Sequence, residues 1–226
     1  KRVERPGESP RAWVSKRRRL SATTPVHATL REKKEIGRLR RRKAYQAIRW
    51  ALVRVLIRGW MRVVHLSIQR NHVHLIVEAA DERLLGRGMQ GFEISAAKQL
   101  KAMLAQELGQ AKPRRGPVFV GRYHAVPLTS PRQVRNALAY VLNNWRRHRE
   151  DFGGVAQRRA VVDPYSSGVY FDGWKEREVP FAWPRGYLPL PIARPTVWLL
   201  TEGWRRHGRV GLRERPGPDE GGFDAA

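Results

Sequence analysis

The sequence predicts an α+β fold in the order β-α-β-β-α-β, with one further helix and an irregular C-terminal tail after it. Three observations lead there. Apolar residues alternate with polar ones over residues 25–30, 61–69, 72–79 and 118–126, the period of strands. Two long stretches of helical period separate the first strand from the second and the third from the fourth. The link Arg70-Asn71 is short enough to make the middle two strands a hairpin. This is the split pattern of a ferredoxin-like antiparallel sheet with two helices on one face.

Each element has its own signal. Residues 1–24 carry Lys16-Arg17-Arg18-Arg19, several prolines and little apolar content, so a disordered basic arm is expected. Residues 25–30 form the first strand. From 35 to 58, Tyr45, Ile48, Leu52 and Val55 recur at spacings of three and four, opposite a face crowded with Arg38 to Lys43, and Gly59 ends the helix. The second helix places Leu85, Met89, Phe92, Ala96, Leu100 and Met103 in one stripe, despite Gly86, Gly88 and Gly91. Pro127 closes the fourth strand, and Thr129-Ser130-Pro131 opens a helix expected over 131–149, with Val134, Leu138, Val141 and Trp145 on its packed side. Residues 151–226 are rich in Gly, Pro and aromatic residues, with a short helix expected near 197–204. The expected division is therefore an arm over 1–24, one domain over 25–150 and an extension over 151–226.

Composition narrows the function. There are 45 Lys and Arg against 20 Asp and Glu, a net charge of +25. Cations in this excess attract a polyanion, because phosphate contacts release condensed counterions. Cysteine is absent, which removes disulfides, zinc knuckles and a thiol nucleophile together. No apolar run approaches the roughly 20 residues of a membrane helix, so no membrane partner is expected. The basic N-terminal residues lack the apolar stretch of a secretory signal.

The stretch with the most chemistry is Asn71-His72-Val73-His74-Leu75-Ile76-Val77-Glu78. Alternation sends His72 and His74 to one face, their Cα atoms roughly 6.5 to 7 Å apart, a span two imidazoles can close around one divalent ion. A pair of half-buried strand histidines is the bland alternative. In the helix over 131–149, Asn136, Tyr140, Asn144 and Arg147 follow one line at spacings of three and four. A tyrosine kept for packing belongs with Leu138 and Val141, yet Tyr140 falls on the polar side.

Over roughly residues 25–150 the chain resembles the single-tyrosine HUH transposases of insertion sequences, in particular their REP-associated branch. The resemblance is carried by Asn71-His72-Val73-His74-Leu75, by Gly88-Met89-Gln90-Gly91, by residues 119–125 with Arg122-Tyr123-His124, and by Ala139-Tyr140-Val141-Leu142-Asn143-Asn144. Asp163-Pro164-Tyr165-Ser166-Ser167-Gly168 and Phe171-Asp172-Gly173-Trp174 also look like segments of bacterial members. The resemblance implies a nucleophilic Tyr140 and metal ligands at His72, His74 and Asn144. It further implies cutting and joining of single-stranded DNA bearing a hairpin, through a 5′-phosphotyrosine enzyme and a free 3′-OH, in the bacterial cytoplasm. Many relatives place proline after the amide; here Trp145 follows it.

The residues make chemical sense of that activity. Two imidazoles and one amide oxygen fill about half an octahedral shell, as suits Mg²⁺ or Mn²⁺ with phosphate and water in the other positions. A phenol with a pKa near 10 costs about 4 kcal/mol to ionise at neutral pH, a cost that a polarised phosphate and nearby arginines must offset. Arg41, Arg42 and Lys43, with Arg146 and Arg147, are either solvated helix faces or phosphate contacts, and the net charge favours contacts. Arg122 and Tyr123 are read as DNA contacts or strand packing, with Tyr123 as the second candidate nucleophile. Both a monomer and a homodimer remain open, as does a tyrosine that serves its own or a partner's metal site.

One rival class lacks its residues: a histidine-triad transferase needs a third histidine where Ile76 stands. The main alternative is a nucleic-acid-binding protein on the same scaffold without catalysis, which would need none of His72, His74, Tyr140 and Asn144. A replication nickase or conjugative relaxase would be expected to carry a helicase or further tyrosines.

Overall fold

The computed structural model describes residues 20–152, 161–176, 178, 179, 181 and 185–216, so most of the expected basic arm lies outside the described residues. Four strands, β1 (Val26–Arg31), β2 (Arg62–Ile68), β3 (His72–Glu78) and β4 (His124–Pro127), form an antiparallel sheet in the order β2-β3-β1-β4. With α1 (Arg42–Arg58) between β1 and β2, and α2 (Glu82–Glu107) between β3 and β4, this is the expected ferredoxin-like order.

Alternation divides the sheet into two chemical faces. Val26, Ala28 and Leu30 of β1 and Val73, Leu75 and Val77 of β3 join Ile48, Leu52, Met89 and Phe92 in one core under α1 and α2. His27 and Thr29 of β1 and His72, His74 and Ile76 of β3 therefore point the other way. That second face lies under α3 (Pro131–Arg147), where Ile76 and Val64 join Leu138, Val141 and Leu142 in a separate core. A register irregularity between Val63 and His65 puts the consecutive Val64 and His65 on the α3 side, while Val63 and Leu66 both serve the core under α1 and α2.

The helix ends follow from their sequences. Asp81 caps α2 by accepting from the Leu84 N–H at 2.7 Å, and Ser130 caps α3 by accepting from the Gln133 N–H at 3.3 Å, with Pro131 in its first turn. Arg146 and Arg147 lie at the negative end of α3. Gly59 ends α1 with φ 65°, a conformation few other residues adopt.

Several expected boundaries move. The helix expected from residue 35 begins at Arg42, because Gly37 at φ 79° separates it from a 3-10 turn over Lys34–Ile36. The strand expected over 118–126 is cut by Gly121 at φ 63°: only His124–Pro127 pairs as β4, while Phe119 makes an isolated bridge to Glu32. The helix expected over 197–204 is α4 (Trp198–Thr201) followed by a 3-10 turn over Gly203–His207.

The C-terminal segments dock on the sheet and on α3. The Ile68 N–H donates to the Tyr165 carbonyl and the Ser167 N–H to the Leu66 carbonyl, each at 2.8 Å, so residues 165–167 occupy the outer edge of β2. Behind them, Arg40 donates to both Asp163 oxygens, at 2.7 and 2.9 Å, and to the Ile68 carbonyl at 2.8 Å; Asp163 is fully buried. Phe171, Trp174, Leu200, Trp204, Val210 and Leu212 pack in the α3 core. Sandwiched between sheet and C-terminal segment, α3 is buried on both sides from Ala137 to Trp145.

Candidate active site

The site is assembled by strand register. Thr29 lies opposite His74 across the β1–β3 pairing, and His27, two positions earlier, shares its face. His74 is fully buried, while His72 at the mouth of the strand is half-buried, its Nδ1 2.7 Å from the Asn71 side-chain oxygen. The two imidazole centroids are 4.5 Å apart.

Helix α3 completes the cluster from above. Its Asn144 amide nitrogen lies 3.0 Å from His74 Nε2, and the Tyr140 ring, one turn earlier, lies edge-on 5.2 Å from the His74 ring. The polar side of α3 thus faces the histidines, and Tyr140, at 2% exposed, is buried; the sequence placed it off the packed stripe because the layer it meets is polar. Arg147 sits 5.8 Å from the Tyr140 ring centroid.

Hydrogen bonding sets the state of His74. With the Asn144 amide donating, Nε2 accepts and the proton rests on Nδ1, within 3.1 Å of both His27 Nε2 and Thr29 Oγ1. Burial, and then the neighbouring His72, His27 and His148, hold His74 well below the ordinary histidine range. The ring is therefore neutral, the form that binds a metal.

The chemistry of the donor set bears on a metal. Among the described residues no three His, Asp or Glu side chains gather as a metal cluster, and the side chain that meets His74 from α3 is the Asn144 amide. Asn144 Oδ1 is buried and has no hydrogen-bond partner among the described residues, an unusual cost for a native side chain. An amide rotated to aim that oxygen at a cation would satisfy it, so His72, His74 and Asn144 fit a divalent ion.

Two members of the cluster were not legible as such. His27 stacks 5.1 Å from His74 and meets the Tyr140 ring at 5.9 Å; its signal was alternation with Thr29 in β1. His148, 5.7 Å from His72, extends the line of Tyr140 and Asn144 by four residues.

The other expected residues lie elsewhere. Tyr123 packs against the core under α1 and α2, and Arg122 is exposed beside it. Arg41 pairs with Glu107 at 2.6 Å and donates to the Ile36 carbonyl, whereas Arg42 and Lys43 are exposed. Arg146 spends its guanidinium on the Leu212 and Val161 carbonyls at 3.0 and 2.7 Å, tying α3 to the C-terminal segment. Glu78 accepts from the Thr196 and Val197 N–H groups at 2.8 and 2.9 Å, anchoring the chain at the entry to α4.

No family model and no curated protein sequence matches the chain. Among solved structures it is similar to a candidate transposase from Deinococcus radiodurans R1, with 15% identity over 54% of this chain and 87% of that one and a TM-score of 0.38. It is also similar to a REP-associated tyrosine transposase bound to a REP hairpin, with 15% identity over 58% of this chain and 72% of that one and a TM-score of 0.36. No helix among the described residues is long and apolar enough to cross a membrane.

Proposed function

We propose that this protein is a DNA transposase that cuts and rejoins hairpin-bearing single strands through a phosphotyrosine at Tyr140. The observation that carries the reading is the meeting of Tyr140 and Asn144 with His74 at one buried point, the phenol ring 5.2 Å and the amide 3.0 Å from the same imidazole. A helix and a strand far apart in sequence have no packing need for a phenol, an amide and neighbouring imidazoles at that point. The net charge of +25 supplies the attraction for the polymer.

In the reaction, Tyr140 Oη bonds to phosphorus and the P–O3′ bond breaks; the proton lost by the phenol is balanced by one taken up at the departing 3′ oxygen. His72, His74 and Asn144 would hold a divalent ion, Mg²⁺ or Mn²⁺, which when bound neutralises charge on the phosphate oxygens. His27 and Thr29 hold the His74 ring in place through Nδ1, leaving Nε2 to face α3. Arg147 adds positive charge beside the phenol. Both halves of the site belong to one chain, so a single protomer can supply them. Because Tyr140 is buried, a phosphate reaches it only when the end of α3 opens.

The same burial favours a second reading, a DNA-binding protein in which the Asn144–His74 hydrogen bond closes the site permanently. The experiment that separates the two incubates the protein with Mg²⁺ or Mn²⁺ and labelled single strands bearing hairpins, then seeks a covalent adduct on a denaturing gel. The transposase reading expects an adduct that Tyr140→Phe abolishes and Tyr123→Phe leaves. Strand binding without an adduct across a library of hairpin ends would favour the second reading.

A further inference from the structure

On the opposite side of the sheet from the histidines, a cavity of about 220 Å³ opens between α1 and α2. Its walls are Arg54, Arg58 and Trp60 from the end of α1, and Ile94, Ser95 and Lys98 from α2. We propose that it binds one unpaired nucleotide of a single strand, the base against Trp60 and Ile94 and the phosphate between Arg54, Arg58 and Lys98.

Several features agree on that class of ligand. Three cations converge and no carboxylate lines the cavity, so it is built for an anion. The Arg58 guanidinium is held 4.9 Å over the Trp60 ring, which fixes its direction and presents a flat cationic-aromatic platform suited to a base. Ile94 is 63% exposed, an apolar surface at the rim that stacking would cover. The Ser95 hydroxyl is buried without a hydrogen-bond partner among the described residues, a donor waiting for an acceptor. Trp50, 57% exposed one turn before Arg54, offers the next platform along α1. The volume lies below the roughly 300 Å³ where drug-sized sites begin, so it suits a single base with its phosphate at the exposed rim and excludes a duplex.

The room depends on Gly91. A Cβ there would lie 3.4 Å from the Trp60 ring and 3.9 Å from Arg58 Nη1, ordinary contacts, so the helix accepts a Cβ at 91 and the rest of a longer side chain takes up room beside Trp60. Gly88 differs, because a Cβ would overlap Met61 at 2.4 Å.

This inference rests on the proposed function only in taking single-stranded DNA as the polymer. The test irradiates the full chain with a thymine-rich oligonucleotide carrying 5-iodo-2′-deoxyuridine, at salt high enough to suppress phosphate-only binding, and maps adducts by peptide mass spectrometry. The expected result is an adduct at Trp60 that falls about tenfold or more in Gly91→Leu and in the double variant Arg54→Ala/Lys98→Ala, whose side chains are exposed. Competition by unlabelled oligonucleotide alone identifies a strand unit, and competition by free thymidine monophosphate as well identifies a nucleotide site of either source. Adducts only outside the cavity, an adduct unchanged in both variants, or loss to phosphatidylglycerol vesicles but to neither nucleotide competitor would overturn it. Tyr140→Phe keeps the Trp60 adduct, so failure here and failure of the transesterification are read apart.

Discussion

His74 Nε2 and the Asn144 amide nitrogen are 3.0 Å apart, which makes the helix and the strand two halves of one site. The bond spends the amide nitrogen and leaves Oδ1 buried without a partner among the described residues. A divalent ion would reverse that arrangement. Asn144→Ala is therefore expected to lower Mn²⁺ affinity by about 10- to 100-fold, read as loss of the Mn²⁺-induced rise in Tm. An equal Mn²⁺ shift in variant and parent would remove Asn144 from the ligand set.

Tyr140→Phe deletes only a hydroxyl from a buried ring. Its effect on stability is expected to stay within about 1.5 kcal/mol by urea unfolding, while the covalent adduct disappears. A variant that lost both would show that the phenol serves the fold.

The Arg40–Asp163 pair is a strong structural test of the C-terminal segment. Asp163 is fully buried and accepts both bonds from one guanidinium, so Asp163→Ala strands a cation. Breaking a pair of this kind costs about 3 to 5 kcal/mol, expected as a lower urea midpoint. A loss below about 1 kcal/mol would mean that water reaches Arg40.

Burial pushes His65 down to about 4 from its ordinary 6.5. Below pH 6.5 the unfolded chain takes up a proton that the folded chain refuses, so stability is complete above 6.5 and declines as pH falls toward 4. His65→Leu should remove on the order of 3 kcal/mol of that decline across this window, read as the difference between the two proteins' unfolding free energies. Parallel pH profiles would count against a neutral buried His65.

Much of this was readable in the order of residues, for reasons that differ by element. The hairpin over residues 61–79 and the stripe from Leu85 to Met103 were legible because alternation and helical spacing are local. His72, His74, Tyr140 and Asn144 were legible as candidates because each broke the pattern around it. His27 was not, since its partner is set by the register that pairs Thr29 with His74 across 45 residues. Nor was the role of Arg40, which looked like one cation among several until Asp163 met it 123 residues later.

The strip of backbone at Tyr165–Ser167 also decides how two copies of this chain can meet. By taking the Ile68 N–H and the Leu66 carbonyl, it leaves β2 without a free ladder there for a second molecule's strand. A continuous sheet across two protomers therefore cannot run through β2 at these positions.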